Sequence, residues 1–184
     1  MPSQRSTKAL LIIDVINDLE FPGGEKVEPW ARKMASKLSP VIRAARKAKV
    51  PVIYANDNFG RWREDFAEVF KHATRPRARG AGIARRLKPG ASDFFILKPR
   101  HSAFYATSLI ALLDHLGAKH LILAGIATNL CVLFTAHDAH MRHFKLTVLS
   151  DCCAAESDED HNIALSQLKT FCGARILRSD EVKL

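Results

Sequence analysis

The sequence predicts an α/β fold, and three observations carry that reading. Six short apolar runs recur along the chain, each too short for a helix and too apolar for a strand exposed on one face. Stretches with helical spacing and recognisable end signals separate them. The chain has 184 residues, 47% of them apolar, which is enough for an ordinary core without disulfide or metal staples. A single domain over residues 1–184 is expected.

The first run, Lys8–Asp14 (KALLIID), reads as a strand buried on both faces of a parallel sheet. The same reading covers Pro51–Asn56, Asp93–Lys98, His120–Gly125, Lys145–Ser150 and, more faintly, Ala174–Leu177. Between them, Ser39 and Pro40 read as the N-cap and first residue of a helix over Val41–Lys49. Thr107 is placed to cap Ser108–Leu116, which Gly117 ends. Thr128–His143 is a long helical candidate, and Asp160–Phe171 another that stops near Gly173. Six strands alternating with helices imply right-handed crossovers and helices on both faces. The least regular stretch, Asp57–Ser92, spans about 36 residues, so a function or short helices of its own are expected there.

Composition excludes several classes. No apolar run approaches the ~20 residues of a membrane-spanning helix. The run Ala9–Ile13 stops at Asp14 without a small-residue cleavage site, and the four cysteines do not suggest a disulfide framework. The cytoplasm is the expected compartment. The formal charge is +9, yet Lys71–Arg100 alone holds nine Lys or Arg against the single acid Asp93. Such a patch can face phosphates or an anionic ligand, but Phe94 and Phe95 beside it read as buried strand. A solvated loop is the plainer reading, with no nucleic-acid and no membrane partner expected.

In open α/β sheets the reactive groups gather at the carboxyl ends of the strands. That rule nominates Asp14, which closes the first strand, Asn56 and Asp57, which close the second, and Lys98, which closes the third. The fourth strand leads through Gly125-Ile126-Ala127-Thr128-Asn129-Leu130-Cys131 into a helix. A cysteine in the first turn of a helix feels the positive end of the macrodipole, and a nearby lysine adds to it, so a lowered thiol pKa is expected. Asp14 can take the thiol proton and later return it to a leaving group. Taken alone, Cys131 reads as a small core residue, Asp14 as a turn acid and Lys98 as a surface lysine. Their joint placement at three strand ends favours chemistry.

Three segments then resemble the signatures of the isochorismatase-like cysteine hydrolases: Asp14–Asp18 (DVIND), Lys98–Phe104 (KPRHSAF) and Gly125–Val132 (GIATNLCV). The resemblance extends from about residue 8 to residue 178. It implies a three-layer, six-stranded parallel sheet in the order 3-2-1-4-5-6. It also implies a catalytic triad of Asp14 (base, then acid), Lys98 (electrostatic partner) and Cys131 (nucleophile). A cis peptide between Ile126 and Ala127 is implied as well, with the Ala127 and Cys131 N–H groups forming an oxyanion hole. A homo-oligomer acting on a small-molecule substrate is the corresponding expectation. Lys98 must cross two strand spacings, roughly 10 Å, to reach Asp14.

Departures from the family pattern shape the substrate expectation. Ile16 stands where many members carry Gln. Nicotinamidases hold a metal through an Asp-x-His pair after the second strand, whereas this chain has Asp57-Asn58-Phe59. No metal and no cofactor are therefore expected, and His72 and His101 read as surface or hydrogen-bonding residues. Isochorismatases that cleave an enol ether generally lack the nucleophilic cysteine, so Cys131 points to amide, ureide or carbamoyl C–N bonds. Phe21, Asn56, Asn58, Trp62, Phe104, Tyr105 and Ile126 are the candidate substrate contacts, either as strand-end residues or as members of the irregular segment. Cys152, Cys153 and Cys172 read as packing residues. A catalytically idle binding module remains an alternative, as does enol-ether hydrolysis. A nucleotide-binding protein lacks support, since no Gly-rich phosphate loop follows any strand.

Overall fold

The computed structural model describes residues 5–184. In chain order the elements are β1 (Lys8–Ile13), α1 (Gly24–Lys47), β2 (Val52–Asp57), α2 (Phe66–Ala73), α3 (Ala81–Arg86), β3 (Phe94–Lys98), α4 (Leu109–Leu116) and β4 (His120–Ile126). A π-helical turn, Thr128–Val132, then runs into α5 (Leu133–Met141), followed by β5 (Lys145–Ala154), α6 (Asp158–Cys172) and β6 (Arg175–Leu177). Every strand pairing is parallel and the order is β3-β2-β1-β4-β5-β6. The chain winds outward from β1 to the β3 edge and returns to start again at β4. That reversal leaves a crevice above the carboxyl ends of β1 and β4.

Alternation along β1 shows why the sheet has two cores. Leu10 and Ile12 face Val27, Ala31, Met34 and Leu38 of α1, with α2 and α3 completing that layer. Ala9, Leu11 and Ile13 face the opposite layer, built from α4, α5 and α6. A central strand covered on both sides must be apolar throughout, which is the pattern the sequence carries.

The helix expected at Val41–Lys49 is the tail of a much longer one. Pro40, like Pro29, lies inside α1 rather than at its start. An internal proline costs ~3 kcal/mol. The buried stripe Val27, Ala31, Met34, Leu38, Val41, Ile42 and Ala45 runs unbroken past both prolines. At about 1.5–3 kcal/mol for each large aliphatic side chain, that burial outweighs the two lost backbone bonds. The candidate helix Thr128–His143 begins instead with the π-helical turn and ends at Met141. Gly117 and Gly173 stop α4 and α6 in the left-handed conformation, as expected. Phe95 is not buried strand: β3 is an edge, Phe95 is 55% exposed, and its ring stacks on Phe66 at 4.8 Å.

The irregular segment supplies α2 and α3, and several of its basic residues are engaged. Arg75 pairs with Asp18 at 2.7 Å, and Arg79 with Glu20 at 3.5 Å. The Arg85 side chain donates to the Thr74 carbonyl at 2.6 Å. Asp93, the one acid within Lys71–Arg100, is taken by Arg46 of α1. Among the described residues no helix is long and apolar enough to cross a membrane.

Gly125 in β4 has no room for a side chain. Its φ is +131°, and a Cβ there would lie 2.0 Å from the Ile13 carbonyl oxygen. Gly125→Ala is expected to lower stability by about 3 kcal/mol, measured by denaturant unfolding. Gly117, at φ +73°, is the control, because a Cβ there would meet nothing within 4 Å. Gly117→Ala should cost only about 1 kcal/mol.

Candidate active site

Asp14 is the residue immediately after β1 and sits at φ +52°, a left-handed conformation that side chains other than glycine seldom adopt. Its amide donates to the Ala55 carbonyl at 2.9 Å, so β2 still holds the backbone as it turns. The residue is 4% exposed, and both carboxylate oxygens are engaged. Oδ1 accepts the Asp57 N–H at 2.7 Å, and Oδ2 lies 2.8 Å from Lys98 Nζ.

Lys98 reaches Asp14 from the edge strand because of register. Asp57 pairs with Lys98, while Ala55 pairs with Ile13, so the β2–β3 pair overhangs the end of β1. The long lysine stem folds back across that overhang and is fully buried. Its ammonium donates to the Arg100 carbonyl at 3.1 Å and lies 3.6 Å from Cys131 Sγ. Asp57 Oδ2 stands at 3.8 Å. Three side chains from three strand ends therefore meet at one point, and the two-strand gap is bridged.

Cys131 comes from the π-helical turn after β4. The Ala127 carbonyl accepts both Leu130 N–H and Val132 N–H at 3.1 Å, which winds this turn one residue wider than an α-helix. The Ile126–Ala127 peptide bond is cis. Thr128, fully buried, is held through its hydroxyl by His161 Nδ1 at 2.8 Å. Cys131 itself is 8% exposed.

The charge state of the sulfur differs from the expectation drawn from the sequence. Burial and the Asp14 carboxylate together push the Cys131 thiol upward, and Lys98 offsets only part of that. Burial also raises Asp14, against the opposing pull of Lys98 and of its hydrogen bonds. Burial acts downward on Lys98, but Asp14, Cys131 and Asp57 outweigh it and leave the ammonium raised. The site at rest is an Asp14–Lys98 ion pair beside a neutral thiol. The lowered thiol pKa expected from the helix start does not occur, because desolvation and an adjacent carboxylate outweigh what a helix terminus supplies.

The candidate substrate contacts divide. Asn58, Trp62 and Tyr105 border a cavity of about 450 Å³ together with Arg100. Trp62 and Tyr105 are exposed at 76% and 59%, so their faces are open. Asn56 is a correction: it is fully buried, its Oδ1 accepts from Ile16 N–H at 3.1 Å and its Nδ2 donates to the Ile16 carbonyl at 2.8 Å. Its amide is spent on holding the chain after β1 above the end of β2. Phe104 is a second correction, being buried with its ring 5.9 Å from Phe144 and under the Arg142 guanidinium. Ile126 is buried in the α1-side core, and Phe21 packs against the same cluster. Ile16, where the family often has Gln, is also core.

His72 is engaged elsewhere, where its Nε2 meets Asp18 at 2.9 Å and Arg75 at 2.8 Å. Burial acts upward on Asp18, but hydrogen bonds from Glu20 N–H, Arg75 and His72 hold its carboxyl below the usual range. His101 is the residue that sequence reasoning undervalues: its Nδ1 lies 3.9 Å from Cys131 Sγ. The signal for it is its place three residues after Lys98, inside the second signature. Among the described residues no group of three or more His, Cys, Asp or Glu is arranged to hold a metal ion. Neither the cavity beside Trp62 and Tyr105 nor a second one of about 500 Å³, between α1 and the end of β5, is lined by Asp14, Lys98 or Cys131.

Comparison with known proteins agrees with this architecture. The family model for the isochorismatase domain matches residues 8–181. The chain belongs to the isochorismatase family. A Bacillus subtilis isochorismatase family protein, YaaI, is 39% identical over 178 residues, covering 97% of both chains. The ureidoacrylate amidohydrolase RutB of Caulobacter vibrioides is 28% identical over 201 residues, covering 94% of this chain and 88% of its own. Among solved structures, N-carbamoylsarcosine amidase from Thermoplasma acidophilum superposes with a TM-score of 0.74 at 25% identity, covering 97% of this chain and 100% of that one. The protein is thus an isochorismatase-family hydrolase with amidohydrolase relatives.

Alkylation by iodoacetamide reads the thiol directly. Wild-type Cys131 is expected to alkylate with a midpoint above the ordinary thiol value of 9.0. Asp14→Asn removes the negative neighbour and should move that midpoint down, while Lys98→Met removes the positive one and should move it up.

Proposed function

We propose that this protein is a cysteine hydrolase that cleaves a C–N bond of a small amide, ureide or carbamoyl compound through a thioester. The observation that carries the reading is the buried ammonium of Lys98, 2.8 Å from Asp14 and 3.6 Å from Cys131 Sγ. A carboxylate, an ammonium and a thiol sealed together have little packing value, since desolvating each charge costs several kcal/mol. They do supply a base, a counter-charge and a nucleophile. The names of two relatives, a ureidoacrylate amidohydrolase and an N-carbamoylsarcosine amidase, point the same way.

The reaction follows from the charges. Asp14 takes the thiol proton as Cys131 attacks the carbonyl carbon, and Lys98 stabilises the sulfur while negative charge resides there. Negative charge then moves to the carbonyl oxygen, where the Ala127 and Cys131 N–H groups serve as the oxyanion hole. Asp14 returns the proton to the departing nitrogen, which leaves as ammonia or an amine. Water hydrolyses the thioester and frees the acid. Since the resting thiol is neutral, proton transfer and attack are coupled, and the site does not store a thiolate that oxidants can reach. Trp62 and Tyr105 offer apolar faces for a small planar substrate, with Asn58 the polar group beside them.

A screen of small amides, ureides and carbamoyl compounds for ammonia or amine release tests the proposal. Wild type should turn over at least one class, and Cys131→Ala should abolish release while leaving the fold intact. Release by Cys131→Ala at the wild-type rate would contradict a covalent route, and no release across the screen would favour an idle binding module. The pH profile has a defined sign. Asp14 must be ionised to accept the thiol proton, so kcat/KM should rise with pH through an apparent pKa above the ordinary carboxyl value of 3.8.

A further inference from the structure

His101 stands on the loop after β3, and its Nδ1 lies 3.9 Å from Cys131 Sγ. The residue is exposed, and its ring leans on Phe134 of α5, with centroids 5.5 Å apart at 46°. Around the sulfur, Asp14 and Lys98 are buried, and His101 is the titratable neighbour open to solvent. The two kinds of position suit different halves of the reaction. Asp14 has both oxygens engaged, by Asp57 N–H and by Lys98, and is only 4% exposed. Thioester hydrolysis needs a water that arrives from solvent and a base beside its path.

We propose that His101 is a second acid–base residue, serving the hydrolysis of the thioester. This role rests on the cysteine-hydrolase reading of the site. The neutral imidazole takes a proton from the attacking water, whose oxygen bonds to the thioester carbonyl carbon. The C–S bond breaks as the tetrahedral intermediate collapses, and the electron pair goes to sulfur. The imidazolium, with Nδ1 already facing Sγ, returns the proton to the leaving sulfur. Acid product, neutral thiol and neutral imidazole result, so no other reactant is required. The role explains why a solvent-exposed histidine is held against the nucleophile by an exposed phenylalanine.

p-Nitrophenyl acetate separates the two half-reactions, because nitrophenolate release reports acylation and later turnover reports hydrolysis of the acetyl thioester. The predicted result for His101→Ala is a burst of nitrophenolate of wild-type size, one per Cys131, followed by turnover slowed by roughly 10²-fold. Intact-protein mass spectrometry should then find the acetylated protein accumulating, and added imidazole should restore turnover. His101→Gln, which keeps polarity and size but not the base, should behave like His101→Ala. Equal slowing of burst and turnover, or wild-type turnover in both variants, would overturn the proposal. Absence of a burst and of acetylation in the wild type as well would instead overturn the thioester reading on which it rests.

Discussion

The ion pair between Lys98 and Asp14, closed off from water, is the constraint on which the site depends. A lone buried ammonium is costly, and breaking such a pair by removing one partner typically costs about 3–5 kcal/mol. The surrounding structure is arranged to keep it intact. Asp57 contributes its N–H to Asp14 and its carboxylate to the edge of the lysine, and the Arg100 carbonyl takes a further ammonium proton. Asn56, spent on Ile16, holds the turn that carries Asp14 in its left-handed conformation. The pair is thus maintained by backbone and side chains from β1, β2 and β3 together.

That pair also sets the chemistry of the sulfur. A carboxylate next to a thiol in a dry pocket disfavours thiolate, and an ammonium at 3.6 Å favours it. The balance falls on the neutral side, so Cys131 differs from cysteines activated by a free helix terminus. The helix here begins with a π-helical turn whose first carbonyl is shared by two N–H groups, and its residues are set by the β4 end and by the His161–Thr128 bond. In the proposed reaction, activation comes at the moment of attack, when Asp14 removes the proton and Lys98 remains to balance the charge. Strand order and register together make this possible. Strands β1 and β4 are neighbours at the reversal point, and β3 overhangs them through its pairing with β2.

Much of this is legible in the amino-acid sequence, for physical reasons that differ from element to element. Strands buried on both faces have no polar side to display, so KALLIID and HLILAG stand out. Strand ends name Asp14, Lys98 and Cys131 because an α/β sheet places chemistry there. The start of helix α1 escapes such a reading, since local proline signals compete with a buried stripe whose value only packing reveals. Phe95 escapes it too, because position at the sheet edge is a property of topology and not of a five-residue run. Asn56, near the end of β2, and Phe104, in the loop after β3, have positions that fit substrate contacts, but hydrogen bonding and ring packing claim them. The thiol's charge state is beyond the reach of spacing, because it depends on distances between residues far apart in the chain.

The S–H stretch of Cys131 in the infrared difference spectrum between wild type and Cys131→Ala tests the neutral thiol most directly. The other three cysteines cancel in that difference. At neutral pH an S–H band should be present in the wild type and lost in the variant, shifted by its carboxylate neighbour. A flat difference spectrum in that region, accompanied by thiolate absorbance in the ultraviolet, would mean that Lys98 rather than Asp14 governs the sulfur at rest.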